Sequence, residues 1–195
     1  MNPHAEALAA RLKRELRGEV RFDAGDRALY ATDASNYRHT PIGVVIPKDN
    51  DDVIATLALC REYGAPITSR GGGTSLAGQC CNTAVILDFS KYMNRVIEVD
   101  PVKKLARVQP GCVCDRLNDA AEKYQLTFGP DPATHAWCTL GGMLGNNSCG
   151  VHSQMAGRTS DNVESLEILT YEGERLTVGA TSPDQLERII LTRSR

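Results

Sequence analysis

Arg70-Gly71-Gly72-Gly73-Thr74-Ser75-Leu76-Ala77-Gly78 is the stretch of this chain best suited to chemistry. Three consecutive glycines let successive backbone N–H groups converge with no Cβ in the way, and a concave run of donors is a nest for a phosphate or pyrophosphate. Thr74 and Ser75 add hydroxyl donors, and Arg70 adds a guanidinium where the loop begins. A glycine triplet alone also serves as a plain surface turn, so the flanking elements and any partner motif must decide.

Upstream, Gly43-Val44-Val45-Ile46-Pro47 reads as a short buried strand, Val53, Leu57 and Cys60 recur at helical spacing through 51–63, and Pro66-Ile67-Thr68-Ser69 reads as a second strand. Downstream, Ala84-Val85-Ile86-Leu87-Asp88 is a third, and 95–100 with 104–109 forms a hairpin about Pro101-Val102-Lys103. The glycine loop therefore joins two strands. That register excludes two nucleotide folds. A Walker loop needs Lys-Ser/Thr after its last glycine, where this chain has Gln79-Cys80 after Gly78. The dinucleotide fingerprint needs a third glycine where Leu76 stands, and a helix rather than a strand after it.

A second block, Gly129-Pro130-Asp131-Pro132-Ala133-Thr134 followed by Thr139-Leu140-Gly141-Gly142-Met143-Leu144-Gly145-Asn146-Asn147-Ser148-Cys149-Gly150, decides the matter. In order and content the two blocks resemble the FAD-binding domain of the vanillyl-alcohol oxidase/p-cresol methylhydroxylase superfamily. Within it, the nearest branch is that of FAD-linked 2-hydroxy-acid dehydrogenases, which includes D-lactate dehydrogenase, glycolate oxidase and D-2-hydroxyglutarate dehydrogenase. The resemblance covers roughly 33–178, and two separated motifs in order are more specific than either alone.

The resemblance implies an α+β fold: a two-lobed FAD-binding domain of the p-cresol methylhydroxylase type, here an N-terminal portion without the cap domain. The divisions expected are an N-terminal helical segment over 1–32, a first α/β subdomain over 33–92 and a second, incomplete α+β subdomain over 93–195, with FAD extended between the two. Carried over by position, Arg70, Gly71, Gly72, Gly73, Thr74, Ser75 and Leu76 would hold the pyrophosphate, and Gly78 and Gln79 would continue the wall. Pro130, Ala133 and Thr134 would lie near the flavin and ribityl side. Thr139, Leu140, Gly141, Gly142, Gly145, Asn146, Asn147, Ser148 and Gly150 would run along the cofactor, and Val163 would meet the adenine portion. On their own terms these glycines permit close approach to a flat ring system, and the Asn and Ser side chains offer neutral donors and acceptors to its edge. The spacing Gly141-x-x-x-Gly145 also suits a tightly packed helix.

Composition fits a cofactor protein. The formal net charge is −2 with both signs distributed along 195 residues, so no basic face for nucleic acid and no polybasic membrane patch stands out. Leu8, Leu12 and Leu16 lie on one helical stripe, and neither a signal peptide nor a membrane span is visible. The setting expected is cytoplasmic, or peripheral to a membrane complex. Seven cysteines, an odd number without an export signal, imply reduced thiols. Cys112-Val113-Cys114 is too closely spaced for the usual metal-ligand pairs, so these read as plain core or surface thiols and no metal is expected. None of His4, His39, His135 and His152 lies in the glycine loop, where some relatives tether their flavin, so FAD is expected to bind noncovalently. His135 and His152 flank the second block and read as ordinary loop histidines or as groups near the flavin; His39 follows a segment similar to one on the substrate side of that branch.

Further on, 166–170 and 175–178 read as a strand pair around Tyr171-Glu172-Gly173-Glu174, followed by a helical pattern from Pro183. The branch would continue into another strand and a cap carrying most substrate and catalytic groups, so no catalytic residue is assigned here. Met155-Ala156-Gly157-Arg158-Thr159 departs from the Tyr-Gly of many relatives. The reading is an FAD module that oxidises a 2-hydroxy acid by hydride transfer to flavin N5, with a separate partner subunit or electron acceptor. The alternatives are a noncatalytic flavin-binding or assembly domain, and an enzyme of the UDP-N-acetylenolpyruvoylglucosamine reductase type.

Overall fold

The structure is a computed structural model that describes residues 4–193. Leu8 and Leu12 of the leucine stripe lie in helix α1 (Ala5–Glu15), with Leu16 as its C-cap, and are buried where this helix packs on the one over Asn50–Glu62. Strand β1 (Glu19–Arg21) and helix α2 (Ala24–Leu29) follow, the latter capped by Asp23, whose carboxylate accepts from Asp26 N–H. Strand β2 (Gly43–Ile46) is buried at every position, as an apolar run covered on both faces must be. Helix α3 (Asn50–Glu62) begins at Asp49, whose side chain accepts from the N–H groups of Asp51 and Asp52. Asp52 is itself buried, and its carboxylate takes the N–H of Arg17 at 2.9 Å and of Lys48 at 2.8 Å, tying the α1–β1 turn to the β2–α3 turn.

Strand β3 (Ile67–Arg70) leads into the glycine loop, and strand β4 (Val85–Asp88) leads out of it. The four-stranded sheet has the order β1-β2-β4-β3, with β2, β4 and β3 parallel and β1 antiparallel at the edge. One face carries the main core of Leu8, Leu12, Val45, Leu57, Leu59, Cys60, Val85 and Leu87; Val44, Ile46 and Ile86 pack on the other with Tyr30 and Tyr92. The segment 1–32 thus supplies both an edge strand and a core helix to the first lobe.

The second lobe begins with a hairpin of β5 (Val96–Asp100) and β6 (Leu105–Val108), its turn stabilised by Asp100 accepting from Val102 and Lys103 N–H. Helices α4 (Cys114–Glu122) and α5 (Leu140–Asn146) close over a second core of Cys112, Cys114, Leu117, Cys138, Leu140 and Met143. A short helix α6 (Ser153–Ala156) and a 3-10 turn (Thr159–Asn162) precede the hairpin of β7 (Ser165–Leu169) and β8 (Arg175–Gly179), and helix α7 (Pro183–Arg193) follows. The turn of the last hairpin docks on the first lobe. Tyr171 Oη donates to Ala65 C=O at 3.1 Å, and the Arg61 guanidinium donates to the carbonyls of Tyr171 and Glu172.

Candidate functional site

The glycine loop leaves the sheet where β3 ends and returns at β4, so its two ends are anchored by parallel neighbours. Gly73 and Gly78 adopt positive φ, 67° and 79°, a backbone that side chains with a Cβ resist. The N–H groups of the six residues 71–76 have no acceptor among the described residues, and the Thr74 hydroxyl likewise has no partner there. Such a run of unmet donors is what an anion-binding nest requires. Ser75 Oγ lies 3.1 Å from Cys80 Sγ, and Gln79 Oε1 accepts from Ala77 N–H at 3.2 Å. Leu76 is 79 % exposed.

Arg70 lies beneath this loop. Its guanidinium stacks on the Tyr30 ring at 5.3 Å, donates to Thr32 C=O at 2.8 Å and reaches the carbonyls of Tyr30 and Cys80 at 3.4 Å each. A Cβ on Gly73 would stand 2.7 Å from its Nη2, so the positive charge sits directly under the loop's bend. Tyr30 Oη donates to the buried Asp88 carboxylate at 2.7 Å; burial, and then that bond, push the phenol above its ordinary value.

The segment 30–38 emerges as a brace that sequence reasoning missed. Ala34 N–H donates to Gly73 C=O at 3.0 Å, Asp33 accepts from Cys80 N–H at 3.3 Å and from Ser35 N–H at 2.8 Å, and the Tyr37 ring packs on Gly78. Burial opposes the Asp33 charge, yet the hydrogen bonds from Ser35 and Cys80 prevail and hold its carboxyl below the ordinary value. Asp33-x-Ser35 is an Asx-turn signature, which was the available signal.

The second glycine block meets the first. A Cβ on Gly71 would lie 2.0 Å from Thr139 Oγ1, and one on Gly72 would lie 2.2 Å from Trp137 O, so these two glycines are required by the contact between blocks. Thr139 caps α5, its hydroxyl accepting from Gly142 N–H at 3.3 Å, while Leu140 and Met143 are buried and Gly141 packs on Pro110. Gly145 faces open space, with exposed Asn146 beside it, whose amide donates to Gly142 C=O at 3.3 Å. Asn147 ends the helix in the left-handed conformation, and its Oδ1 accepts from Ser160 N–H at 3.0 Å. Ser148 C=O accepts from both the N–H and hydroxyl of Thr159.

The stretch 130–134 is brought alongside Gly150, where a Cβ would fall 1.6 Å from Asp131 O. Pro130 is buried and Ala133 exposed, and Thr134 C=O accepts from Trp137 and Cys138 N–H, both at 2.8 Å. Val163 stands in extended conformation between the 3-10 turn and β7. His135 Nδ1 lies 2.7 Å from Asp115, which raises the imidazole's pKa, and His152 Nδ1 lies 3.0 Å from Asp131. Trp137, Val151 and Met155 are exposed apolar side chains near these segments, and Trp137 was not among the expected site residues. No cluster of three or more potential metal ligands occurs among the described residues, and no helix there is long and apolar enough to cross a membrane.

A sequence model of a family described as an FAD binding domain matches residues 41–179. D-2-hydroxyglutarate dehydrogenase of Pseudomonas putida is 35 % identical over 176 residues, covering 89 % of this chain and 18 % of that protein. Glycolate oxidase subunit GlcD of Escherichia coli is 35 % identical over 152 residues, covering 77 % of this chain and 30 % of that protein. The chain therefore spans less than a third of the length of either relative. Among solved structures, alkyldihydroxyacetonephosphate synthase superposes with a TM-score of 0.79 at 24 % identity, over 95 % of this chain and 40 % of that one. 6-Hydroxy-D-nicotine oxidase from Arthrobacter nicotinovorans gives 0.73 at 23 % identity, over 84 % of this chain and 36 % of that one. At such identities these two show the shared fold.

Proposed function

Because the chain belongs to the FAD-binding domain family, with FAD as its cofactor, we propose that it is the flavin-holding part of an oxidoreductase acting on a 2-hydroxy acid. The observation that carries this reading is the row of six N–H donors at 71–76, unpaired among the described residues, set beside the Arg70 charge and met from the other side by Trp137 and Thr139. That loop suits a pyrophosphate: its N–H donors are unmet among the described residues, the Arg70 cation lies against its bend, and side chains at Gly71 and Gly72 would clash. In the proposed division, 33–92 holds the phosphates and 93–195 lines the flavin side, with 1–32 bracing the first lobe. Pro130, Ala133, Thr134, Gly145, Asn146 and Val163 belong to the second lobe's share of the contact. Arg70 supplies charge from below while it fixes the loop's ends, and the Asp33–Tyr37 brace keeps the donors convergent before the cofactor arrives. With no histidine in the loop, the attachment is noncovalent.

Bound FAD would supply a two-electron acceptor for the oxidation of the substrate's Cα–OH to a 2-oxo acid. The base and the site for the substrate carboxylate are assigned to no residue of this chain. Purified protein is expected to be yellow, or to become so on adding FAD, with the flavin released by acid or heat rather than remaining covalently attached. A colourless protein that takes up no added FAD would overturn the reading. Anaerobic bleaching by D-lactate, glycolate or D-2-hydroxyglutarate tests the reaction; a yellow protein bleached by none of them, with or without the remainder of a relative-length enzyme, would make it a noncatalytic flavin module.

A further inference from the structure

We propose that Cys114 and Cys138 form a redox-active dithiol which a hydroperoxide converts to an intramolecular disulfide. The pairing is set by the backbone. Val113 and Thr139 face each other across an antiparallel bridge, flanked by Leu140 N–H donating to Cys112 C=O at 2.8 Å and Cys114 N–H donating to Cys138 C=O at 3.0 Å. The adjacent pair on one side is Cys114 with Cys138, and on the other Cys112 with Leu140. In such a ladder, hydrogen-bonded partners have Cα atoms about 5.5 Å apart, within the separation a disulfide spans. All three cysteines are buried in one cluster, so register, rather than proximity alone, selects Cys114 as the partner of Cys138.

The environment divides the two thiols by role. Interaction with the Cys114 side chain lowers the Cys138 thiol against the opposing effect of burial, and Thr134 and His135 act in the same direction; the same interaction, together with burial, raises Cys114. His135 is in turn kept cationic more readily by Asp115. Cys138 is also the less completely covered of the two. By contrast, burial pushes the Cys60 thiol up to about 12 and raises Cys81, which makes both poor nucleophiles.

The chemistry balances in two steps. The Cys138 thiolate attacks one oxygen of hydrogen peroxide, the O–O bond breaks, and hydroxide leaves as water after taking a proton, giving a sulfenic acid. The Cys114 sulfur then attacks the sulfenic sulfur. The S–O bond breaks, and the departing hydroxide leaves as water with the Cys114 proton. Two thiols lose two electrons and two protons, and the peroxide becomes two waters. The resulting bridge would tie the N-terminus of α4 to the residue preceding Thr139, which touches the glycine loop.

The test treats the chain with stoichiometric hydrogen peroxide, alkylates remaining thiols, and maps the tryptic peptides with fragmentation that assigns each bridged and each alkylated cysteine. The expected product is lighter by about 2 Da, reverts with dithiothreitol, and joins peptide 108–116 to peptide 124–158 through Cys114 and Cys138. Its Tm rises by roughly 5 °C. Cys112→Ser and Cys149→Ser keep the bridge, whereas Cys114→Ser leaves Cys138 as a sulfenic acid that dimedone traps. Separate alkylation of Cys114 and Cys138 after oxidation, or a bridge through Cys112 or Cys149, would overturn the proposal. The wild-type peptide map decides even if a variant fails to fold.

Discussion

At Gly71 the space available is smaller than a methyl group, since a Cβ would lie 2.0 Å from Thr139 Oγ1. Gly71→Val should therefore weaken FAD binding at least tenfold in a fluorescence titration. Thr139→Ala costs about 1 kcal/mol through the lost helix cap, but the double variant Gly71→Ala/Thr139→Ala should lose less affinity than the sum of its parts. Strict additivity would show that the contact does not govern the site. A second residue-scale prediction concerns Glu19. Hydrogen bonds from Lys91, Tyr92 and Arg21 bring its carboxyl down to about 2. A carboxyl lowered in the folded state stabilises the protein above its ordinary value near 4.5, and that contribution disappears as pH falls toward 2. The Tm difference between wild type and Glu19→Gln should be largest at neutral pH, worth about 1 kcal/mol for so exposed a cluster, and should close across this window in a pH series of melts.

At the scale of elements, the brace over 30–38 ties the glycine loop to the segment before β2 through Ala34, Asp33 and Tyr37. Asp33→Ala removes the acceptor for Ser35 and Cys80 N–H, and should reduce FAD affinity several-fold while lowering Tm by only a few degrees. An equal fall in Tm and unchanged affinity would assign Asp33 to stability alone. The sequence already carried β2, α3, β3, β4, both hairpins and the end-to-end order of the two glycine blocks, because each has apolar periodicity or turn residues that act locally. Of the brace it carried only the Asx-turn signature at Asp33-x-Ser35; the hold on Arg70 comes from the carbonyls of Tyr30 and Thr32, which leave no mark in residue type. Strand β1 was hidden by its three residues, Glu19-Val20-Arg21, whose pairing is decided by β2. Helix α4 was hidden for a related reason: it starts without a side-chain cap and is held in place by burying Cys114, Leu117 and Ala121. For the site itself, the sequence indicated which glycines matter but not why. Gly71 and Gly72 serve the approach of one block to the other, whereas Gly73 and Gly78 serve the bend.

For the molecule as a whole, FAD in the proposed site would act as a ligand of the folded state. At an FAD concentration 100 times Kd the stabilisation is about 2.7 kcal/mol, and a chain of this size should melt roughly 5–10 °C higher than without FAD. Gly71→Val should forfeit that shift. The docking of Tyr171 and Arg61 across the lobes implies that both cores melt in one transition, which calorimetry can check. The strand order β1-β2-β4-β3 carries a further consequence for biosynthesis. The central strand is the last of the four to leave the ribosome, so β2 and β3 emerge with their inner edges unmatched and must wait for residues 85–88. The insertion of β4 completes the sheet and, in the same event, draws the ends of the glycine loop together. A nascent chain released before this point would present the bare inner edge of the apolar strand β2 to chaperones, and it would have no phosphate cradle at all.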